Sequence, residues 1–392
     1  MTDVVKVDQQ SSYWEVISRA AQVIRRGGLV AFPTETVYGL GVRADIPGAI
    51  RRLRAAKQRD EGKPFTVHIG RRRDVERFVP DMPPVARRFT RKAWPGPLTL
   101  LLEVNDPNRA PVVAELGQEV AHELYQNGLV GLRCPDDQVA ADLLNEAGPP
   151  VVASSANVAG ARPPRTADEV LEQMADSIDL LIDGGPTRYA KASTIVRVYS
   201  PPAASEAAAH PAGAGESSGA AFTVIREGVY DDRALRRLAT VNILFVCTGN
   251  TCRSPMAVGL CRRLLADRLA CSPHDLERLG YSITSAGLAA HYGSGAAPEA
   301  AAVMKERGID ISDHTTQPLT HDLARQADRV FTMTHSQLEW VLDLAPEAAE
   351  RVQMLAAEMD IEDPVGAGPE VYAACAERIE TALRQRLAEI EL

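Results

Sequence analysis

The chain has 392 residues, room for two or three domains, and an apolar content of 45% that is ordinary for a globular protein. No apolar run is long enough to span a membrane, the N-terminus lacks the basic start and apolar core of a secretion signal, and six cysteines without regular spacing suggest no disulfide framework, so a cytoplasmic, non-membrane protein is expected. The net charge of −9 is uneven: residues 1–240 hold 30 basic and 30 acidic side chains and residues 241–392 hold 13 and 22, so neither part has the basic surplus that alone would argue for nucleic-acid binding.

In chain order, the apolar spacing from Trp14 to Arg26 predicts a helix stopped by Gly27-Gly28. Leu29–Phe32 reads as a strand running into Pro33–Gly41, a polar turn punctuated by glycine. A basic helix is expected over 47–58, then a loop entering a strand that ends at Ile69. Strands follow at Leu98–Leu102, Leu129–Pro135, Val151–Asn157 (ending in small polar residues) and Ser193–Val198, with a turn at Asp183–Pro186. Strands mixed with helices imply a twisted-sheet α/β or α+β domain. Several strands end in loops carrying Thr, His, Arg or Ser, where ligand sites usually lie.

The segment 199–221 is rich in Ala, Ser, Gly and Pro and reads as a flexible insertion. Phe222–Gly228 looks like one more strand of the first domain, and Asp231–Ala239 a short helix leading out of it.

From residue 241 the pattern changes. Ile243–Val246 is an apolar run suited to a buried parallel strand, Cys247 stands at its end, and Thr248, Gly249, Asn250 and Thr251 form a polar loop. Ser254-Pro255 reads as a helix N-cap and first turn. Loop N–H groups and a helix N-terminus converging on one spot make an anion site. Arg253 adds a planar fork for two oxygens of a tetrahedral phosphate, and the same field favours Cys247 as a thiolate nucleophile. Helices and strands then alternate: a helix to Leu269, a strand at Tyr281–Gly287, a helix at Pro298–Arg307, a strand within Ala327–Met333, a helix at His335–Leu344, a strand at Val352–Leu355 and a last helix at Glu370–Leu387. That order predicts a doubly wound parallel sheet with its site at the carboxyl end of the first strand.

The string CTGNTCRSP, with Asp363-Pro364 near the C-terminus, resembles the low-molecular-weight protein tyrosine phosphatases. The resemblance implies Cys247 as nucleophile, Arg253 as phosphate clamp and Asp363 as general acid. It also implies a phosphate loop of Thr248, Gly249, Asn250, Thr251, Cys252 and Ser254, with no cofactor. Val365 follows Asp363-Pro364 where the family usually has an aromatic residue. Thr251, with Thr332–His335 (Thr-Met-Thr-His), is closer to the bacterial protein-arginine phosphatases, which implies phosphoarginine ahead of phosphotyrosine in a phosphorylated protein substrate. Cys252 reads as a loop thiol able to guard Cys247 by reversible oxidation. An arsenate reductase on the same fold is the alternative, but it needs more cysteines for a disulfide relay.

In the first part, PTETVYGLG, Lys57 and Arg59 with KPFTVHI, WPGPLT, SSAN and the late Ser-Thr-Ile-Val strand occur in order. They resemble the YrdC-type L-threonylcarbamoyladenylate synthases. That family joins L-threonine, bicarbonate and ATP, with Mg²⁺ expected to share the phosphate charge, into threonylcarbamoyl-AMP and pyrophosphate for tRNA modification. The resemblance implies that Lys57, Arg59, Lys63, Ser155, Asn157 and Arg226 face ATP, and that Thr34, His68, Arg133 and Ser193 face threonine. A transferase that passes the product to tRNA is a possible partner. The alternative is an RNA-binding module, suggested by the arginines of 51–59 and 71–73. The expected architecture is α/β throughout: a YrdC-like twisted-sheet domain over 12–238 and a doubly wound phosphatase domain over 241–392.

Overall fold

The computed structural model describes residues 2–7, 13–60, 64–199 and 221–389, and its contacts fall into two compact units, Met1–Leu238 and Ala239–Leu392. Lys63 and nearly all of the insertion at 199–221 lie outside the described residues. Among the described residues no helix is long and apolar enough to cross a membrane.

The first unit is built on one mixed sheet. Its strands are β1 (Asp3–Lys6), β2 (Val30–Phe32), β3 (Gly39–Arg43), β4 (Thr66–His68), β5 (Leu98–Glu103), β6 (Leu129–Arg133), β7 (Val151–Ser155), β8 (Leu180–Asp183), β9 (Thr194–Val198) and β10 (Phe222–Arg226). Their spatial order is β1-β8-β2-β3-β7-β4-β6-β5-β9-β10. Helix α1 (Tyr13–Arg25) carries buried Ile17, Ala20, Ala21 and Ile24 at the three- and four-residue spacing that makes one apolar stripe. That stripe packs with Leu143, Leu144 and Ala147 and with Val30 and Phe32 of the sheet.

One expectation is corrected here, and one strand pair is added. Gly39-Leu40-Gly41 is not part of a turn but begins β3, antiparallel to β2 with Gly39 opposite Phe32 and Gly41 opposite Val30. The glycines belong to the strand because the Phe32 ring covers them: a Cβ at Gly41 would lie 2.9 Å from that ring. β1 and β8 also join the sheet as a parallel pair, although their short runs gave no strand signal before the Asp183 turn.

The second unit holds a sheet of four parallel strands: β11 (Val241–Cys247), β12 (Tyr281–Gly287), β13 (Arg329–Thr332) and β14 (Val352–Met354), in the order β12-β11-β13-β14. One face buries Phe245, Met256, Leu260 and Ile283 with Ala376 and Ile379 of the last helix, Pro369–Glu389; the other buries Leu244, Val246 and Val330 with Val341 of the helix His335–Leu344. The strand order reverses at β11, between β12 and β13. In such sheets the crevice beyond the carboxyl ends at that reversal takes the ligand, and Cys247 ends β11.

The helix after the cysteine loop spans Arg253–Arg268, two residues earlier than its sequence signals, with Cys252 at the N-cap and no side-chain cap. Ser254 is therefore a helical residue rather than the N-cap. Its hydroxyl turns inward to Cys247 and Asn250.

Candidate active sites

In the first unit, strand register assembles a cavity from distant segments. His68 of β4 and Thr99 of β5 both lie opposite Arg133 of β6, which sets the three side by side at the sheet's ligand end. The cavity is lined by Thr34, Arg59, Phe65, His68, Thr99, Arg133, Ser155, Ser193 and Arg226, among others. It thus gathers seven of the residues singled out from sequence, and adds Thr99. Thr99 Oγ1 is 2.9 Å from Ser193 Oγ, and the WPGPLT motif contained it without marking it as functional.

The polar groups are held from behind. Arg133 Nη2 donates to Thr36 Oγ1 at 2.5 Å and to Glu35 Oε1 at 3.1 Å, in an ion pair whose side chains are 7% and 1% exposed. Thr34 Oγ1 donates to the Val37 carbonyl at 2.6 Å and so shapes the 33–38 loop. Arg226 Nη2 donates to Ser193 O at 2.8 Å and to Ser193 Oγ at 3.1 Å. Arg59 stacks over Phe65, 5.0 Å from the ring centroid, and donates to Pro64 O.

His68 is buried, and burial followed by the Arg133 charge lowers its pKa to about 3. Its Nδ1 lies 3.0 Å from the Thr66 carbonyl. A carbonyl only accepts, so Nδ1 carries the proton and Nε2 is left as an acceptor.

Lys57 and Asn157 are not in the lining. Lys57 is 2% exposed, and its ammonium donates to the carbonyls of Ser155 and of Asn157, the latter at 2.7 Å. Burial, then the Arg59 charge, lowers its pKa to about 8. It braces the turn that presents Ser155. Asn157 donates through Nδ2 to Val158 O and Ala161 O.

Two buried N–H groups at this cavity have no partner, Arg59 Nε and Arg133 Nε. A buried donor left unpaired is costly, and at this cavity a ligand's oxygens could meet both, although Arg77 Nε and Arg197 Nε, outside its lining, are also unpaired. The same residues do not make a metal cage. No cluster of three or more His, Cys, Asp or Glu side chains occurs among the described residues, and Glu35, the carboxylate on the 33–38 loop, already pairs with Arg133. The lining itself offers no carboxylate that would hold Mg²⁺.

In the second unit the site is one loop. Cys247 Sγ accepts from the Asn250 N–H at 3.2 Å and lies 3.0 Å from Ser254 Oγ. Asn250 takes φ 58°, in the left-handed region. Four contacts hold it there. Its Nδ2 donates to Ser254 Oγ and Ser285 Oγ, both at 2.9 Å, its Oδ1 accepts from Gln317 N at 3.0 Å, and its carbonyl lies 2.7 Å from His314 Nε2. Ser285, Gln317 and His314 were not singled out from sequence, since each sits on a segment with no motif of its own. Gly287 abuts the loop closely: a Cβ there would lie 2.7 Å from Thr248 O and 2.9 Å from Asn250 N. Gln337 Nε2 donates to Thr248 Oγ1 at 3.0 Å.

Arg253, 4% exposed in its side chain, donates through Nη1 to Ile361 O at 3.0 Å and pairs through Nη2 with Asp363, which is 42% exposed. Its Nε is buried and unpartnered, like those of Arg59 and Arg133. Cys252 Sγ lies 3.4 Å from the Tyr372 hydroxyl and 3.6 Å from Thr251 Oγ1. Val365 is 64% exposed and forms no wall. Burial raises the Cys375 thiol to about 11, and all six cysteines are free.

Comparison with known proteins matches each unit separately. Residues 22–205 match the Sua5/YciO/YrdC family model, described as "Telomere recombination", and residues 242–392 match the low molecular weight phosphotyrosine protein phosphatase model. A threonylcarbamoyl-AMP synthase of Pyrococcus abyssi is 36% identical over 50% of this chain, and one of Chromohalobacter salexigens is 34% identical over 46% of it. This chain spans about half the length of the first, 54%, and 90% of the second. Among solved structures, a low molecular weight protein tyrosine phosphatase from T. tengcongensis is 35% identical over 38% of this chain and all of its own, with a TM-score of 0.35. The YwlE arginine phosphatase from Geobacillus stearothermophilus is 36% identical over 38% of this chain and 91% of its own, with a TM-score of 0.33.

Proposed function

We propose that this chain, which belongs to the Sua5/YciO/YrdC family in its first unit and to the low-molecular-weight phosphatase family in its second, carries two active sites with separate chemistries. The first makes threonylcarbamoyl-AMP from L-threonine, bicarbonate and ATP. The second hydrolyses a phosphorylated protein through a phosphocysteine. The observation that carries both is the convergence of cationic and polar side chains on one spot: Arg59, Arg133 and Arg226 with Thr34, His68 and Ser193 in the first cavity, and Arg253 with the Cys247 loop and Asp363 in the second.

In the first site Arg133 holds the threonine carboxylate, and His68 Nε2 accepts from its amine. With a pKa near 3, His68 orients the amine rather than deprotonating it. The amine condenses with bicarbonate, losing water, to a carbamate. A carbamate oxygen then attacks the α-phosphorus of ATP, and the bond to pyrophosphate breaks. Arg59 and Arg226 offset the triphosphate charge, and Ser155, braced by Lys57, lines its path. The test is pyrophosphate release, which requires threonine and bicarbonate together. Equal release without threonine refutes the assignment.

In the second site Cys247 attacks phosphorus while Arg253 grips two phosphate oxygens. The incoming phosphate replaces Asp363 on Arg253. The freed carboxylate takes a proton from solvent and gives it to the leaving group as the bond to phosphorus breaks; it then takes a proton from the water that attacks the phosphocysteine and expels the Cys247 thiolate. Phosphoarginine is favoured over phosphotyrosine, because Thr251 Oγ1 meets only the weak sulfur of Cys252 in its loop and can accept from a guanidinium N–H. Val365 leaves no aromatic wall for a phenyl ring. Competing phosphoarginine and phosphotyrosine peptides decides this. Wild type should prefer phosphoarginine, and Thr251→Ile should narrow or reverse the preference.

The alternatives are weaker. A buried Cys375 thiol raised to about 11 is a poor member of an arsenate-reductase relay, and an RNA-binding module has no use for the convergent His68, Arg133 and Ser193.

A further inference from the structure

The helix Ala49–Ala56 closes with a tight end that delivers Arg59 to the first cavity. Gln58 takes φ 48°, in the left-handed region. Its N–H donates to Ala55 O at 3.0 Å, and that of Arg59 donates to Arg54 O at 3.1 Å. This pair of bonds brings the side chains of Arg54 and Arg59 near each other. At helix ends of this kind a hydrophobic contact frequently joins the two positions.

Here both are cations, and they share the Phe65 ring. The Arg54 guanidinium carbon lies 5.2 Å from the ring centroid and that of Arg59 5.0 Å. Each is also tied to the backbone: Arg54 Nη1 donates to Asp60 O at 2.7 Å and Arg59 Nη2 to Pro64 O at 3.0 Å. The two charge centres are no farther apart than the two ring distances laid end to end, about 10 Å, the screening length of about 0.1 M salt. Arg59, Pro64 and Phe65 line the cavity, and Arg54 does not.

Two like charges held this close raise the energy of the empty site, and a polyanion at Arg59 relieves their repulsion. Burial, and then the Arg54 charge, lowers the Arg59 pKa, while the Asp60 carboxylate acts in the opposite direction. Asp60 is the acidic group of this turn among the described residues; Glu61 lies outside them. The cavity lining holds no carboxylate, so the cationic field there is opposed only from the turn.

We propose that Arg54 is a positioning residue for ATP: it shares the Phe65 ring with Arg59, and its charge strengthens the field that a polyphosphate meets at Arg59, without touching the ligand. The proposal rests on reading this cavity as the ATP site of the synthase.

The experiment is steady-state pyrophosphate release by the full chain at varied ATP, with threonine and bicarbonate saturating, in about 0.05 M and about 0.5 M sodium chloride. Relative to wild type in the same buffer, Arg54→Gln should raise the ATP KM about fivefold in low salt and less than about twofold in high salt. Its kcat and threonine KM should stay within about twofold of wild type. Arg54→Lys keeps the charge and should recover most of the loss. An ATP KM unchanged in Arg54→Gln overturns the proposal. So does a rise that persists undiminished in high salt, or one matched by an equal rise in the threonine KM, since either marks Arg54 as a brace of the turn alone. The underlying reading fails separately, in wild type, by pyrophosphate release that ignores threonine or by none at all.

Discussion

The anion site of the second unit comes from eight consecutive residues, Cys247 to Ser254, joined by Asp363. The cavity of the first unit takes its side chains from the 33–38 loop, the six strands β4, β5, β6, β7, β9 and β10, the Arg59 turn and Ser193, among others. The contrast separates two ways of making an anion receptor. A contiguous loop works through its own N–H groups and needs only a cage to hold its shape, here the contacts of Asn250 with Ser254, Ser285, His314 and Gln317. A dispersed site works through long side chains and depends on strand register. A one-residue slip of β6 against β4 and β5 would turn Arg133 to the other face, away from His68 and Thr99.

The largest expected effect comes from the contiguous site. Cys247→Ser should lower phosphatase turnover by about a thousandfold or more, since a hydroxyl there is a far weaker nucleophile. Vanadate binding should persist and threonine-dependent pyrophosphate release should be unchanged. Assaying both activities on one preparation checks this, and a parallel fall in both would break the picture of two separate sites.

In the dispersed site, Arg133→Ala should cut pyrophosphate release about a hundredfold. It removes a ligand donor and leaves Glu35 buried without its partner. Steady-state rates at varied threonine should show most of the loss in the threonine KM. A loss confined to the ATP KM would move Arg133 to the nucleotide side.

Asn250 probes the cage. Asn250→Ala should reduce phosphatase kcat/KM about tenfold through lost loop contacts. Asn250→Gly, which adopts φ 58° freely, should melt higher than the alanine variant by an amount worth about 1 kcal/mol. Thermal melts of the two variants decide whether backbone strain or side-chain contacts dominate.

The smallest effect on activity is expected from acidification, which acts on stability. Unfolded, His68 takes a proton near 6.5; folded, it resists down to about 3. The unfolded state therefore binds more protons between those values, and this group's contribution to stability declines as pH falls through the window, by at most about 1.4 kcal/mol per pH unit. Denaturant melts from pH 7 to 4 should show wild type losing more stability than His68→Gln. Parallel curves would mean that His68 is protonated in the fold.

The sequence by itself determined the second unit almost completely. Its strand-helix alternation, the cysteine at the end of a β-rich run and the Arg253 spacing are local patterns, and local patterns survive in one dimension. Those patterns carried the parallel sheet and the loop, but missed the helix His321–Gln326 and the start of the helix after the loop: Ser254-Pro255 looks like a cap, while Asn250 and Cys247 draw that serine into the helix. The first unit was legible as ordered motifs whose chemistry made sense together. Tertiary structure decided the rest. Gly39 and Gly41 joined a strand because Phe32 lies over them. Lys57 was turned to two carbonyls behind the site because they are buried and need a donor. Thr99, Ser285, His314 and Gln317 were brought to the two sites by sheet pairing and loop closure, contacts between residues far apart in the chain that no local pattern encodes.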